Sequence, residues 1–147
     1  MHEVVVKIIN TSGNDLPEYA TAGSAGMDIR AGLQNPVILQ PLERAMIPTG
    51  IFLEIPFGYE AQMRPRSGLA HKHGITCLNS PGTIDSDYRG ELKVILINLS
   101  SQVQTINNGE RIAQIVISKV ERALLQPVEQ LEVSLRGEGG FGHTGKI

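Results

Sequence analysis

The stretch NSPGTIDSDYRGELKV, from Asn79 to Val94, places two aspartates, a tyrosine and an arginine just after a Pro81-Gly82 pair. It then runs into the apolar alternation of Leu92 to Leu99, which sets polar chemistry on the edge of a strand. A Pro-Gly turn, with glycine open to backbone geometries closed to other residues, leaves N–H and C=O groups free to meet a ligand. Local pattern alone favours a surface hairpin with solvated aspartates. Three further sets add charge. Asp28 and Arg30, in AGSAGMDIRA, share a face if the segment is extended, and their small neighbours let a ligand or another backbone come close. In Arg64-Pro65-Arg66-Ser67 two arginines precede a helix start whose free N–H groups favour anions. The final RGEGGFGHTGKI carries Arg136, Phe141, Thr144 and Lys146 on five glycines, so it forms a flexible tail able to close over an anionic, ring-bearing ligand.

Two motifs in that tail are decoys. Gly137 to Gly142 matches G-x-G-x-x-G and Gly140 to Lys146 matches most of a P-loop, yet each motif works by opening a helix after a buried strand, and here the sequence stops at Ile147. His71, His73 and Cys77 fall one ligand short of a four-coordinate metal site and lack paired spacing, so the histidines read as solvated helix residues.

The elements that must position these residues are short. Val4 to Ile9 forms a β-branched first strand, ended by Asn10 to Asn14. Val37 to Leu39, Ala45 to Ile47, Ile51 to Ile55 and Tyr59 to Arg64 are separate strands punctuated by Pro36, Pro41, Pro48, Gly50 and Pro56, a density that excludes long helices. One helix is expected over about two turns from Ser67, with Ser67 as N-terminal cap and Gly74 as C-terminal cap. Lys93 to Leu99 and Arg111 to Val120 are read as strands joined through an Asn107-Asn108-Gly109 hairpin turn. Leu124 to Leu135 suits an edge strand or a segment crossing a subunit boundary. The fold class is all-β, one domain of 147 residues with one core. A net charge of −2 argues against bulk nucleic-acid or membrane binding, so any anion site is local. A single cysteine, an opening Met1-His2-Glu3 without basic character and no run of about 20 apolar residues point to a cytoplasmic protein.

AGSAGMDIRA at 22–31, RPRSGLA at 64–70, NSPGTIDSDYRG at 79–90, GERIAQIVI at 109–117 and RGEGGFGHTG at 136–145 resemble, in order, the five motifs of the homotrimeric deoxyuridine triphosphatase (dUTPase) family. The resemblance implies a distorted, jelly-roll-like β-barrel over 1–135 with one short helix at 67–73. It also implies an arm at 136–147 that closes on a neighbouring subunit, so that three chains share each site. The implied activity is that of a dUTP diphosphatase: with Mg²⁺ on the triphosphate, water attacks the α-phosphorus of dUTP to give dUMP and pyrophosphate. By similarity Asp85 activates the water, Asp28 partners the metal through water, and Arg136 closes last as an arginine finger does. Arg66, Ser67, Gly68 and Gln114 would take the phosphates. Asn79 with the backbone of Gly82, Thr83 and Ile84 would read uracil, Tyr88 would lie under the deoxyribose, and Met63 and Lys93 would complete the pocket. Phe141 would stack on the base, with Gly142, His143 and Thr144 following it; His143 stands where the family usually carries a serine. A dCTP deaminase of the same fold and a non-catalytic nucleotide-binding module are the alternatives; the TIDSDYRG run and the glycine-rich tail speak against the first, intact Asp85 and Arg136 against the second.

Overall fold

The computed structural model describes residues 2–147. The elements run β1 (Lys7–Asn10), β2 (Met27–Arg30), β3 (Val37–Leu39), β4 (Arg44–Glu54), β5 (Tyr59–Arg64), α1 (Ser67–His73), β6 (Ile75–Cys77), β7 (Gly82–Ile84), β8 (Glu91–Asn98), β9 (Gln104–Ile106) and β10 (Arg111–Lys119). They pair antiparallel in two four-stranded sheets, ordered β1-β4-β8-β6 and β2-β10-β5-β7, with β3-β9 as a separate ribbon. The all-β expectation holds, and the pairings close no continuous ring, so the barrel is a distorted one. Among the described residues no helix is long and apolar enough to cross a membrane.

Inward-facing residues of both large sheets make one core, with Ile29, Ile47, Val94, Leu96, Ile112 and Ile115 almost wholly buried. Each such side chain contributes about 2 kcal/mol relative to leaving it exposed. Strand β8 shows the period of two expected of a half-covered sheet: Leu92, Val94, Leu96 and Asn98 face in while Lys93 faces out. Asn98 is the polar exception, and its amide donates to the Leu39 carbonyl at 3.0 Å and the Gln102 carbonyl at 2.7 Å. It is therefore buried with its hydrogen bonds made.

Several elements depart from the sequence reading. Pairing of β1 begins only at Lys7, where Glu54 of β4 lies opposite, so Val4 to Val6 precede the ladder. Strand β4 runs unbroken through Pro48 and Gly50 because a register shift against β8 between Pro48 and Phe52 absorbs them. Gly50 sits there at φ 69°, its N–H bonded to Glu91 Oε1 at 3.0 Å, while buried Thr49 donates its hydroxyl to the Leu92 carbonyl. Asn107-Asn108-Gly109 is a turn between β9 and β10, not between β8 and β10, which belong to different sheets. Residues 124–135 form no strand: the last hydrogen bond to the body is Val120 N–H to the Gly58 carbonyl, and beyond it every recorded hydrogen bond is local.

Candidate active site

Strand β7 is an edge strand, hydrogen-bonded on one side to β5 with Gly82 opposite Met63 and Ile84 opposite Ala61. Its other row of backbone donors and acceptors has no strand partner, the state in which a backbone can read a ligand's hydrogen-bonding edge. That row borders a cavity of about 240 Å³ lined by Met63, Asn79, Gly82, Thr83, Ile84, Asp85, Tyr88 and Lys93, together with Met46, Glu91, Leu92 and Ile95. Eight of the residues singled out from sequence thus meet in one recess. Its volume falls below the roughly 300–1,000 Å³ of complete small-molecule sites.

Gly82 works differently from the sequence expectation. Its φ is not left-handed, and it opens β7 instead of forming the turn. What matters is the missing side chain, because a Cβ would stand 3.0 Å from Asn79 Nδ2 and 3.3 Å from Met63 Cβ. The chain reaches it through a cis Ser80-Pro81 bond, with the Ser80 hydroxyl donating to the Cys77 carbonyl. After β7 a turn closes where Tyr88 N–H donates to the Asp85 carbonyl at 3.2 Å, and Arg89 bridges the Ser86 carbonyl at 2.7 Å. Tyr88, 47 % exposed, donates its hydroxyl to the Glu91 carbonyl at 2.9 Å. Asp85 is exposed and its carboxylate takes no hydrogen bond among the described residues, which leaves both oxygens free to take a water.

Asp28, Arg66 and Gln114 line none of that recess; Gln114 borders a second, more open depression with Arg64, Ser80 and Pro81. Asp28 and Gln114 are cross-strand partners in β2 and β10, and Gln114 also faces Arg64 of β5. Arg66 Nε donates to Asp28 Oδ1 at 3.0 Å, and its terminal nitrogen donates to the Arg111 carbonyl at 3.2 Å. The Gln114 amide donates to the Pro65 carbonyl at 3.0 Å, and it fits because position 26 is glycine; a Cβ there would come within 2.5 Å of Gln114 Oε1. Arg66, with extended backbone, is the N-cap residue of α1 and makes no side-chain cap. Ser67 is the first helical residue instead, so its hydroxyl is not spent on capping; Gly68 follows it, exposed. Gly74 caps the C-terminus at φ 64° as expected. Arg30 shares Asp28's face but is committed to the Gly109 carbonyl at 2.8 Å.

Sequence reasoning missed Arg111. Its Nε lies 3.7 Å from Asp28 Oδ2, so the carboxylate stands between two guanidinium groups. A register shift between Arg111 and Ala113 makes Ile112 and Ala113 both face the core, which turns Arg111 outward to Asp28's side. Consecutive apolar Ile112-Ala113 at the head of an alternating strand was the available signal. Glu91 was missed as well; its carboxylate is fixed by Gly50 N–H at the cavity wall.

Cys77 lies in the core, while His71 and His73 are exposed on α1. Burial pushes the Cys77 thiol up to about 11, which suppresses the reactive thiolate. Native protein is expected to resist alkylation by iodoacetamide near about pH 8 and to react fully once denatured, as mass spectrometry would show; rapid labelling of the native state would place the thiol at the surface. Arg136, Phe141, Gly142, His143 and Thr144 of the arm are all exposed. Arg136 Nε donates to the Gly139 carbonyl at 2.6 Å, Phe141 is fully exposed, and no arm residue lines the cavity.

An edge-strand backbone and an aromatic ring thus border the cavity, and guanidinium groups flank Asp28 outside it. The chain belongs to the dUTPase family, whose model matches residues 13–145. It is 62 % identical over 141 residues to the deoxyuridine 5'-triphosphate nucleotidohydrolase of Cytophaga hutchinsonii, covering 96 % of this chain and 92 % of that protein. Its fold matches the Staphylococcus bacteriophage 80alpha dUTPase with dUPNHPP at a TM-score of 0.86 and 29 % identity, over 96 % of this chain and 98 % of that one. A dUTPase from phage phi11 of S. aureus, described with a structural Mg(II) ion, matches at 0.79 and 25 % identity, over 88 % and 100 %.

Proposed function

We propose that this chain hydrolyses dUTP to dUMP and pyrophosphate, which limits uracil in DNA and supplies dUMP for thymidylate synthesis. The observation that carries the proposal is the cavity itself, where the free row of β7, the Asn79 amide, the Tyr88 ring and the Asp85 carboxylate face one space. Uracil presents acceptor, donor and acceptor on its pairing edge, which an amide and an edge backbone can match; cytosine would leave buried groups unpaired. Backbone packed close to the ring leaves no room for thymine's methyl. Tyr88 lies under the deoxyribose and fills the space that a ribose 2′-hydroxyl needs.

Asp85 accepts a hydrogen bond from the attacking water and takes its proton as the water adds to the α-phosphorus; pyrophosphate leaves. Arg66, Ser67 and Gln114 receive phosphate oxygens, Arg66 by charge and the other two as neutral donors. Both Asp28 oxygens already face guanidinium groups, and among the described residues no cluster of three or more acidic, histidine or cysteine side chains could cage a cation. That arrangement fits Mg²⁺ carried by the triphosphate, with Asp28 touching only its waters. When bound, the ion would neutralise charge on the phosphates. The Asp28 cluster and the cavity become one site when another copy supplies one of them and a third supplies the arm, which makes the working form a homotrimer. The lone buried cysteine accords with a cytoplasmic setting.

Incubation with dUTP, dCTP, UTP and dTTP plus Mg²⁺, reading pyrophosphate and ammonia, tests the reading. Pyrophosphate from dUTP alone is expected; ammonia from dCTP would make the protein a deaminase, and no product would make it a binding module. Tyr88→Ala is expected to lower the preference for dUTP over UTP by about 10- to 100-fold, and an unchanged ratio of kcat/KM would send sugar discrimination elsewhere.

A further inference from the structure

Gly90 is not in the left-handed backbone region, so its conformation would admit any residue; what the fold uses is its missing side chain. The three atoms nearest a Cβ built at Gly90 all belong to Tyr88. It would overlap the hydroxyl oxygen and stand 2.6 Å from Cζ and 2.9 Å from Cε2, well inside the roughly 3.5–4.0 Å of a good carbon contact. The ring thus folds back over the chain that follows it. Its hydroxyl is tied to the Glu91 carbonyl at 2.9 Å, and Glu91 is in turn tied by its carboxylate to Gly50 N–H at 3.0 Å. One wall of the recess is thus an aromatic ring lying against the Gly90 backbone, its hydroxyl tied to the first residue of β8.

We propose that Gly90 is a positioning residue that sets sugar specificity: the absence of a Cβ there lets the Tyr88 ring lie down at the depth that admits deoxyribose and excludes ribose. This rests on the reading of Tyr88 as the sugar floor. A methyl group at position 90 leaves the backbone unstrained but blocks the ring's resting place. The ring must turn about its Cα–Cβ bond, give up the bond to the Glu91 carbonyl and vacate the space beside C2′.

A double-mutant cycle separates this role from a structural one. Wild type, Gly90→Ala, Tyr88→Ala and the double variant are assayed for kcat/KM with dUTP and UTP, and each is melted to verify folding. Gly90→Ala is expected to reduce the dUTP preference about tenfold, mainly by lowering KM for UTP, yet to change it less than about twofold when Tyr88 is already alanine. Equal losses in both backgrounds would overturn the proposal by assigning Gly90 a backbone role, while leaving the sugar-floor reading intact. An unchanged preference in Gly90→Ala overturns it too. A Tyr88→Ala variant with normal preference removes the sugar floor and the proposal with it. If Gly90→Ala unfolds, rescue of folding in the double variant supports the clash with the ring, and failure of both to fold contradicts it.

Discussion

Asp85→Asn should fold and bind dUTP as the native protein does and lose turnover by about 10²- to 10⁴-fold, the range a positioned general base supplies. The substitution is clean for structural reasons. No hydrogen bond holds the Asp85 carboxylate in place, and its backbone carbonyl, which takes the Tyr88 N–H, is untouched by the change. Asparagine keeps the shape and one acceptor oxygen and loses only the charge that accepts a proton from water. Pyrophosphate release, measured beside the affinity for a non-hydrolysable dUTP analogue, reads both halves. Near-normal turnover would remove Asp85 from the water-activating role, and equal losses in affinity and rate would make it a binding residue.

Removal of residues 136–147 should leave the melting temperature unchanged and cost about 10³-fold or more in turnover, the scale at which a closing arginine acts. Stability is spared because the core ends with β10. Beyond Val120 the chain buries none of the core residues, and Leu124, Leu131, Val133 and Leu135 lie exposed in the single chain. On the proposed reading activity is lost because Arg136 would bring the last positive charge and Phe141 would stack on the base. Full activity after truncation would make the arm ornamental. A lowered melting temperature would instead assign it to the fold.

Strands were legible where a short apolar or alternating run met turn residues: Val37–Leu39 and Tyr59–Arg64 are bounded as the sequence implies. The two bulges were not. Pro48 and Gly50 read as strand breakers because, taken locally, a missing N–H and a left-handed glycine end a ladder; only the partner strand β8, with Glu91 and Leu92 capturing the freed groups, makes an unbroken β4 possible. The bulge at Arg111 hid a second guanidinium beside Asp28 for the same reason, since facing direction depends on register and register depends on the partner. Ser67 illustrates the limit of capping rules: an exposed serine before a helical run looks like a cap, yet Arg66 holds the cap position while its side chain reaches Asp28.

The candidate site was legible as residues and not as an assembly. Motif spacing collects Asn79, Asp85, Tyr88, Asp28, Arg66 and Gln114, but in the single chain only the first three line the cavity, and no arm residue does. On the proposed reading, each chain holds every part of the site and no complete copy of it.

Subunit mixing tests that claim most directly. Asp85→Asn chains with an intact arm, and chains ending at Leu135 with an intact Asp85, are each expected to be nearly inactive. Denatured together in equal amounts and refolded, they are expected, on the proposed assembly, to form mixed trimers. If Asp85 and the arm come from different chains, one site in four receives both, and dUTP hydrolysis returns to about a quarter of the native level. A mixture as inactive as its components would show that Asp85 and the arm act within one chain and would contradict the shared site.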